Sequence, residues 1–292
     1  MSTERLLVPI ANPETADRLL DTAADLARDR DLEILVVTVV TVPMQLTLEQ
    51  ASDELEIDDH EAVLEYALER AGERDVSAAG RVRFGRSVAD GILEIAGDED
   101  EQIEAILLGW RGRPRRRDVV LGSSIDEILA DAPCDVLVER IDRESAGGID
   151  SILVPVAGGP NTDLAARIAG SLARAHDARV ELVTVVSDRD EESVADAREL
   201  LTRTSRELGA VTSIEQTVLD GAVEETILER TGDHDVTVVG AAESGPVQRV
   251  LVGQIPETIG READSGVMMA KRHQDVSETL WRQVRDRLRR LR

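Results

Sequence analysis

Residues 106–124 read ILLGWRGRPRRRDVVLGSS. Ile106-Leu107-Leu108 is apolar at consecutive positions, as in a strand buried on both faces, and the run stops at Gly109. Gly112 follows after two residues and Gly122 after nine more. Ser123 and Ser124 come next, and Ile125, Ile128 and Leu129 then recur at helical spacing. The stretch reads as a parallel strand, a Gly-rich turn, a basic loop and a second Gly-Ser turn that opens a helix. Glycine at the end of a strand admits φ > 0 and lets a ligand approach the backbone. The unpaired N–H groups and partial positive charge of a helix start suit a phosphate, to which the Ser123 hydroxyl adds a donor. Between the turns stand Arg111, Arg113, Arg115, Arg116 and Arg117, placed to steer an anion or to close over it. On spacing alone the same residues also fit a Gly-rich loop with a solvated basic excursion; the phosphate reading rests on strand, turn and helix agreeing.

Working outward, Arg5–Ile10 is a short apolar strand, and Pro13 opens an amphipathic helix through Leu19, Leu20, Ala23, Ala24, Leu26 and Ala27. Residues 32–42, LEILVVTVVTV, form the strongest strand pattern, ended by Pro43. A helix is expected from about Thr47 to Arg74, a third strand at Val82 and Phe84 closed by Gly85, and a helix through Val88, Ile92, Leu93 and Ile95. After the glycine stretch come a helix to about Ala130 and a last strand at Val136–Val138. Strands and helices alternate throughout, which implies an α/β domain with a parallel sheet covered by helices on both faces. Ligands of such sheets bind at the carboxyl ends of the strands where the strand order reverses. The glycine stretch falls there if the 106–109 strand lies beside the first one.

The pattern then repeats. Ser151-Ile152-Leu153-Val154-Pro155-Val156-Ala157 echoes Arg5-Leu6-Leu7-Val8-Pro9-Ile10-Ala11, and Val236–Gly240 echoes Ala105–Gly109. Gly253 stands thirteen residues after Gly240, the step from Gly109 to Gly122. The chain is read as a tandem duplication: a domain at 1–141, a linker at 142–150, a second domain at 151–274, and a separate segment at 275–292. In the second copy Glu243 replaces Gly112 and Gln254 replaces Ser123, and Arg249 is the only cation of the loop. A carboxylate where phosphates would lie repels them, so the second copy is expected to have lost or altered this binding.

The spacing G-x2-G-x9-G-S, with the strand starts and the Gly85 and Gly221 corners, resembles the universal stress protein (UspA-like) family in its tandem form. The resemblance implies two doubly wound five-stranded parallel sheets of strand order 3-2-1-4-5, paired through their last strands, so that Val136–Val138 meets Val267–Met269. It also implies ATP or AMP, with or without Mg, held by Gly109, Arg111, Gly112, Gly122, Ser123 and Ser124. Ile10, Ala11 and Asn12 would lie by the nucleoside and Val39 would form an apolar wall. Family members usually place an acid just after the first strand; here Ala11 and Asn12 stand there, and only Asn12 could replace part of its hydrogen bonding. Val39 is equally read as plain core.

Net charge is −25, from 59 acidic against 34 basic residues, and Lys271 is the only lysine. Such a surface resembles halophile-type composition, keeping its water when salt screens charge. It argues against general nucleic-acid binding, which needs a basic face. Cys134 is the only cysteine, so no intrachain disulfide forms, and its place before an apolar strand suggests a buried thiol. His60, His176, His234 and His273 show no metal-ligand spacing. Neither a signal peptide nor a membrane-length apolar run is visible, which points to a soluble cytoplasmic protein. In 275–292, Val276, Leu280, Trp281, Val284, Leu288 and Leu291 share a helical face backed by arginines. This basic amphipathic helix either packs on its own domain or lies on an anionic membrane or partner. The expected function is a non-enzymatic, adenine-nucleotide-binding stress or regulatory protein. A soluble module of a membrane transporter and a slow ATPase are the alternatives, and further homo-oligomerisation is open.

Overall fold

A computed structural model describes residues 3–47, 57–111, 121–141, 148–187, 190–242 and 254–273. The first half runs β1 (Arg5–Pro9), α1 (Pro13–Arg30), β2 (Glu33–Thr41), α2 (Asp58–Gly72), β3 (Ala78–Gly85), α3 (Val88–Ala96), β4 (Ile103–Trp110), α4 (Ser123–Asp131) and β5 (Asp135–Arg140). The second repeats it as β6 (Ser151–Pro155), α5 (Pro160–His176), β7 (Arg179–Val186), α6 (Glu191–Ser205), β8 (Ile214–Asp220), α7 (Val223–Thr231), β9 (Val236–Gly240), α8 (Gln254–Glu262) and β10 (Gly266–Lys271). The helix expected from Thr47 is described only as α2, because 48–56 lie outside the described residues.

Local chemistry accounts for the helix ends. The Asn12 side chain accepts from the Thr15 N–H, Pro13 fills the first turn, and Asp31 ends α1 in the left-handed region at φ 57°. The second copy keeps the proline and the left-handed aspartate but not the side-chain cap: Pro160 opens α5 behind Gly159 at φ 84°, and Asp177 closes it at φ 53°.

The strands form one ten-stranded sheet in the order β3-β2-β1-β4-β5-β10-β9-β6-β7-β8. Each half is parallel and has the expected order 3-2-1-4-5. The two sheets join through β5 and β10, which pair antiparallel with Met269 opposite Val138 and Ala270 opposite Leu137. Strand residues alternate between two cores. Leu6, Val8 and Leu107 pack under α1, α2, α5 and α6; Leu7, Ile106 and Leu108 pack under α3, α4, α7 and α8. Both cores contain residues of both halves, so the repeats share their interior.

The seam is tied by an exchange of cations. Arg140, at the end of β5, donates Nη1 to the Gly260 carbonyl at 2.9 Å and Nη2 to those of Ala263, at 2.9 Å, and Ser265, at the end of α8 in the other half. Lys271, at the end of β10, donates to the Leu129 carbonyl near the end of α4. A cation at a helix C-terminus meets both the open carbonyls and the negative end of the dipole. Across the other face, Arg174 of α5 makes two 2.6 Å hydrogen bonds to Asp29 of α1, and His176 lies 2.8 Å from Asp25.

Candidate functional site

β4 pairs with β1, Leu7 opposite Ile106, while β2 pairs with β1 on its other side. The reversal point therefore lies where the glycine stretch begins. Gly122 sits there at φ 128° and ψ 147° as the N-cap of α4, with no side-chain cap bond. A Cβ built on Gly122 would meet nothing within 4 Å. Among the described residues nothing therefore crowds the helix start at Gly122, and Ser123 is exposed and Ser124 partly so. Asp126 bends back to accept the Leu121 N–H at 3.3 Å, which places one carboxylate in that first turn.

Gly109 differs from its reading. It is not among the positive-φ residues; it lies in the ladder opposite Glu139. Its lack of a side chain serves packing instead: a Cβ would come within 3.0 Å of Ile141 Cδ1 and 3.4 Å of Leu19 and Thr15. Arg111 is bonded to Glu14 at 2.9 Å, an exposed ion pair between the end of β4 and the first turn of α1. Gly112, Arg113, Arg115, Arg116 and Arg117 lie outside the described residues, as do Glu243, Arg249, Gly253 and the 275–292 segment.

On the nucleoside side, Ile10 is buried and its N–H bonds to the Val37 carbonyl at 2.8 Å, while Ala11 is exposed. Asn12 Oδ1 is committed to Thr15, whose N–H and hydroxyl both lie 3.0 Å away. Only the amide donors of Asn12 could therefore serve a ligand. Val39 is partly buried and packs on Gly91 of α3, where an added Cβ would come within 2.8 Å of its Cγ1.

The second half has a cavity of about 660 Å³ at the matching end of its strands. Gly158 and Gly159, both at positive φ, form its floor beside Arg203, and Val183, Leu200 and Ile227 give apolar walls. In the sequence, the consecutive glycines Gly158 and Gly159 just before Pro160 are the signal for a shaped site here.

Other reactive candidates are structural. Burial pushes the Cys134 thiol up to about 12, with Asp135 adding to the effect, so no thiolate forms near neutrality. His234 is buried with Nε2 2.8 Å from Glu181. Burial alone would raise the Glu181 carboxyl, but hydrogen bonds from His234, Arg230 and Thr217 bring it down to about 2. Among the described residues no group of three or more His, Cys, Asp or Glu could hold a metal ion. No helix among them is long and apolar enough to cross a membrane.

A doubly wound α/β sheet, present twice and joined edge to edge, with an open helix start at the reversal point of its first copy, defines the class. Within that class, the Universal stress protein family matches residues 2–140 and again 148–271, and the chain belongs to that family. A stretch of 141 residues is 28% identical to the Na(+)/H(+) antiporter NhaS5 of Synechocystis sp. (strain ATCC 27184 / PCC 6803 / Kazusa), taking in 48% of this chain and 20% of the antiporter. The matched stretch thus spans a fifth of that relative's length. Among solved structures, the chain is similar to a universal stress protein from Archaeoglobus fulgidus, with TM-score 0.68 and 19% identity over 94% of this chain and 100% of that one. It is also similar to the cytoplasmic domain of a prokaryotic cation chloride cotransporter, with TM-score 0.58 and 13% identity over 92% and 95% of the two chains. At these identities the likeness bears on the fold.

Proposed function

We propose that the first half binds an adenine nucleotide, ATP or AMP, and that the protein acts as a non-catalytic regulator whose second half serves as pairing partner. The observation that carries this reading is the uncapped start of α4 at Gly122, uncrowded among the described residues and beside the β1–β4 reversal point. The phosphates would lie on the N–H groups and hydroxyls of Ser123 and Ser124, with Arg111 released from Glu14 to meet them. Ile10, Ala11, the Asn12 amide and Val39 would border the nucleoside. Gly112 would keep the backbone low enough for the ligand to approach, and Gly109 would keep β4 packed against Ile141, Leu19 and Thr15 beneath it.

Calorimetric titration with ATP and AMP, with and without Mg, tests it. Wild type is expected to bind one nucleotide per chain. Gly122→Val, which places a branched side chain in the left-handed region and in the phosphate's space, is expected to weaken binding at least about tenfold, or about 1.4 kcal/mol. Absence of binding by wild type, or equal binding by the variant, would refute the assignment.

A second reading, a regulatory module associated with a transporter at a membrane, is favoured by the antiporter relative. It predicts that the full chain sediments with anionic liposomes at low salt and that a chain ending at residue 274 does not. Equal sedimentation of the two, or none by the full chain, counts against the 275–292 segment as the membrane contact.

A further inference from the structure

Glu139 lies on β5 opposite Met268, at the joint between the halves. Its counterpart in the repeat is Ala270, since Gly109 pairs with Glu139 as Gly240 pairs with Ala270. The acid therefore belongs to one half only. Its Oε2 has no contact with solvent and no hydrogen-bond partner. A cavity of about 330 Å³ lies alongside, lined by α1, α5, β5 and β10, but an atom without accessible surface has no water-sized space against it. A carboxylate oxygen in that position loses its hydration and gains nothing in return. A proton on the carboxyl removes the charge that burial penalises most, leaving only a neutral group with one oxygen unpartnered.

The surroundings are charged but largely committed. From α1 the cavity receives Arg18, Asp21, Asp25 and Arg28; Arg74 follows α2, His176 ends α5, and Arg140 shares β5. β9 and β10 supply only Val236, Gly266, Val267 and Met268. Arg74 is bonded to Asp21, His176 and Arg28 to Asp25, and Arg140 to the carbonyls at the end of α8. Among the described residues Arg18 has no such tie, and it faces Glu139 as the cation that would follow its charge.

We propose that Glu139 is a proton-operated latch of the seam: protonated, it lets α1, β10 and α5 close over it, and ionised, it draws Arg18 inward and loosens the docking of the two halves. Burial pushes the carboxyl up to about 7; the Thr22 hydroxyl and Arg18 pull the other way, and Asp21 and Asp25 add to the rise. A carboxyl raised from 4.5 to about 7 in the folded state binds its proton more tightly folded than unfolded. Its stabilising effect is full below its unfolded value, declines as pH rises, and is gone above about 7.

The test uses the full chain and Glu139→Gln, which keeps the shape and removes the titration. Carbon-detected NMR of the glutamate carboxyls is expected to show one resonance, missing in the variant, that titrates near neutrality. Between about pH 5 and pH 8 the urea midpoint of wild type is expected to fall, and that of Glu139→Gln to fall clearly less. At the higher pH the variant is expected to protect the amides of 135–140 and 266–271 more than wild type. His176→Gln, which should retain the Glu139 titration, separates it from the neighbouring imidazole. A Glu139 carboxyl that titrates in the ordinary carboxylate range, or a variant with the wild-type pH profile, overturns the proposal. The NMR titration of wild type decides it even if the variant does not fold.

Discussion

Exchange of Arg140 for methionine is expected to destabilise the protein by about 3–5 kcal/mol, because three buried carbonyls each lose a hydrogen bond from a charged donor. Arg140 is 3% exposed, and its guanidinium lies between the last strand of one half and the end of α8 in the other. It holds the carbonyls of Gly260, Ala263 and Ser265. Methionine fills much of the space but donates nothing, so the three acceptors are left at a helix end that water does not reach. The defect should be local before it is global, with amides of 256–271 exchanging faster than those of β1 and β2. Lys271→Met makes a useful control. The ammonium meets one carbonyl, that of Leu129, so its loss is expected to cost about 1 kcal/mol. Equal urea midpoints for the two variants would show that the Arg140 contacts contribute no more than the single bond of its counterpart.

That comparison also marks where sequence reading stops. The alternation of aliphatic strands and amphipathic helices, the echo of Arg5–Ala11 in Ser151–Ala157, and the proline opening at Pro13 are enough for the α/β class and the duplication, whereas the strand order and the meeting of β5 with β10 came only from the family resemblance. The class and the duplication are properties of local period and spacing, which a chain carries on its face. The last strand of the first half was read as Val136–Val138, three apolar residues, and so ended before Glu139 and Arg140. Both side chains are polar at the end of an apolar run, and a polar strand end usually means solvent. Here it means the other half of the molecule, because the strand ends lie against helices supplied by the second repeat. Lys271 stood out as the only lysine, but nothing in its neighbourhood in the chain pointed to Leu129, 142 residues away.

The candidate site was legible to a similar depth. Gly122 and Ser123 open a helix at the reversal point, as the Gly-Ser spacing implied. Asn12 is read in the sequence as replacing part of the missing acid's hydrogen bonding; its position just before Pro13 also makes it a helix cap, which takes its oxygen. Residue type alone does not distinguish those roles; the following proline and Thr15 do.

The largest contrast within the repeat concerns two glycines that the sequence treats as equals. Gly109 and Gly240 end matching strands, each followed thirteen residues later by another glycine. A Cβ on Gly240 would lie 2.7 Å from the backbone carbonyl carbon and oxygen of Asn161 and from the amide of Thr162. That backbone cannot retreat, because Asn161 is held at both ends of its amide: Nδ2 donates to the Ala241 carbonyl at 2.7 Å, and Oδ1 accepts the Arg272 N–H at 2.8 Å. These bonds draw the start of α5 onto β9 and β10. In the first half the matching residue is Glu14, which reaches outward to Arg111, so α1 starts further from its sheet. Gly240→Ala is therefore expected to cost about 2–3 kcal/mol through forced backbone movement, and to break the Asn161 clamp. Gly109→Ala meets side chains, the tip of Ile141 at 3.0 Å and Leu19 and Thr15 at 3.4 Å, and is expected to cost less than about 1 kcal/mol. Denaturant midpoints of the two variants, measured side by side, check the order. A Gly109→Ala variant as unstable as Gly240→Ala would mean that both strand ends lie equally close to their helices, and that the room at the first site, on which nucleotide entry depends, is not there.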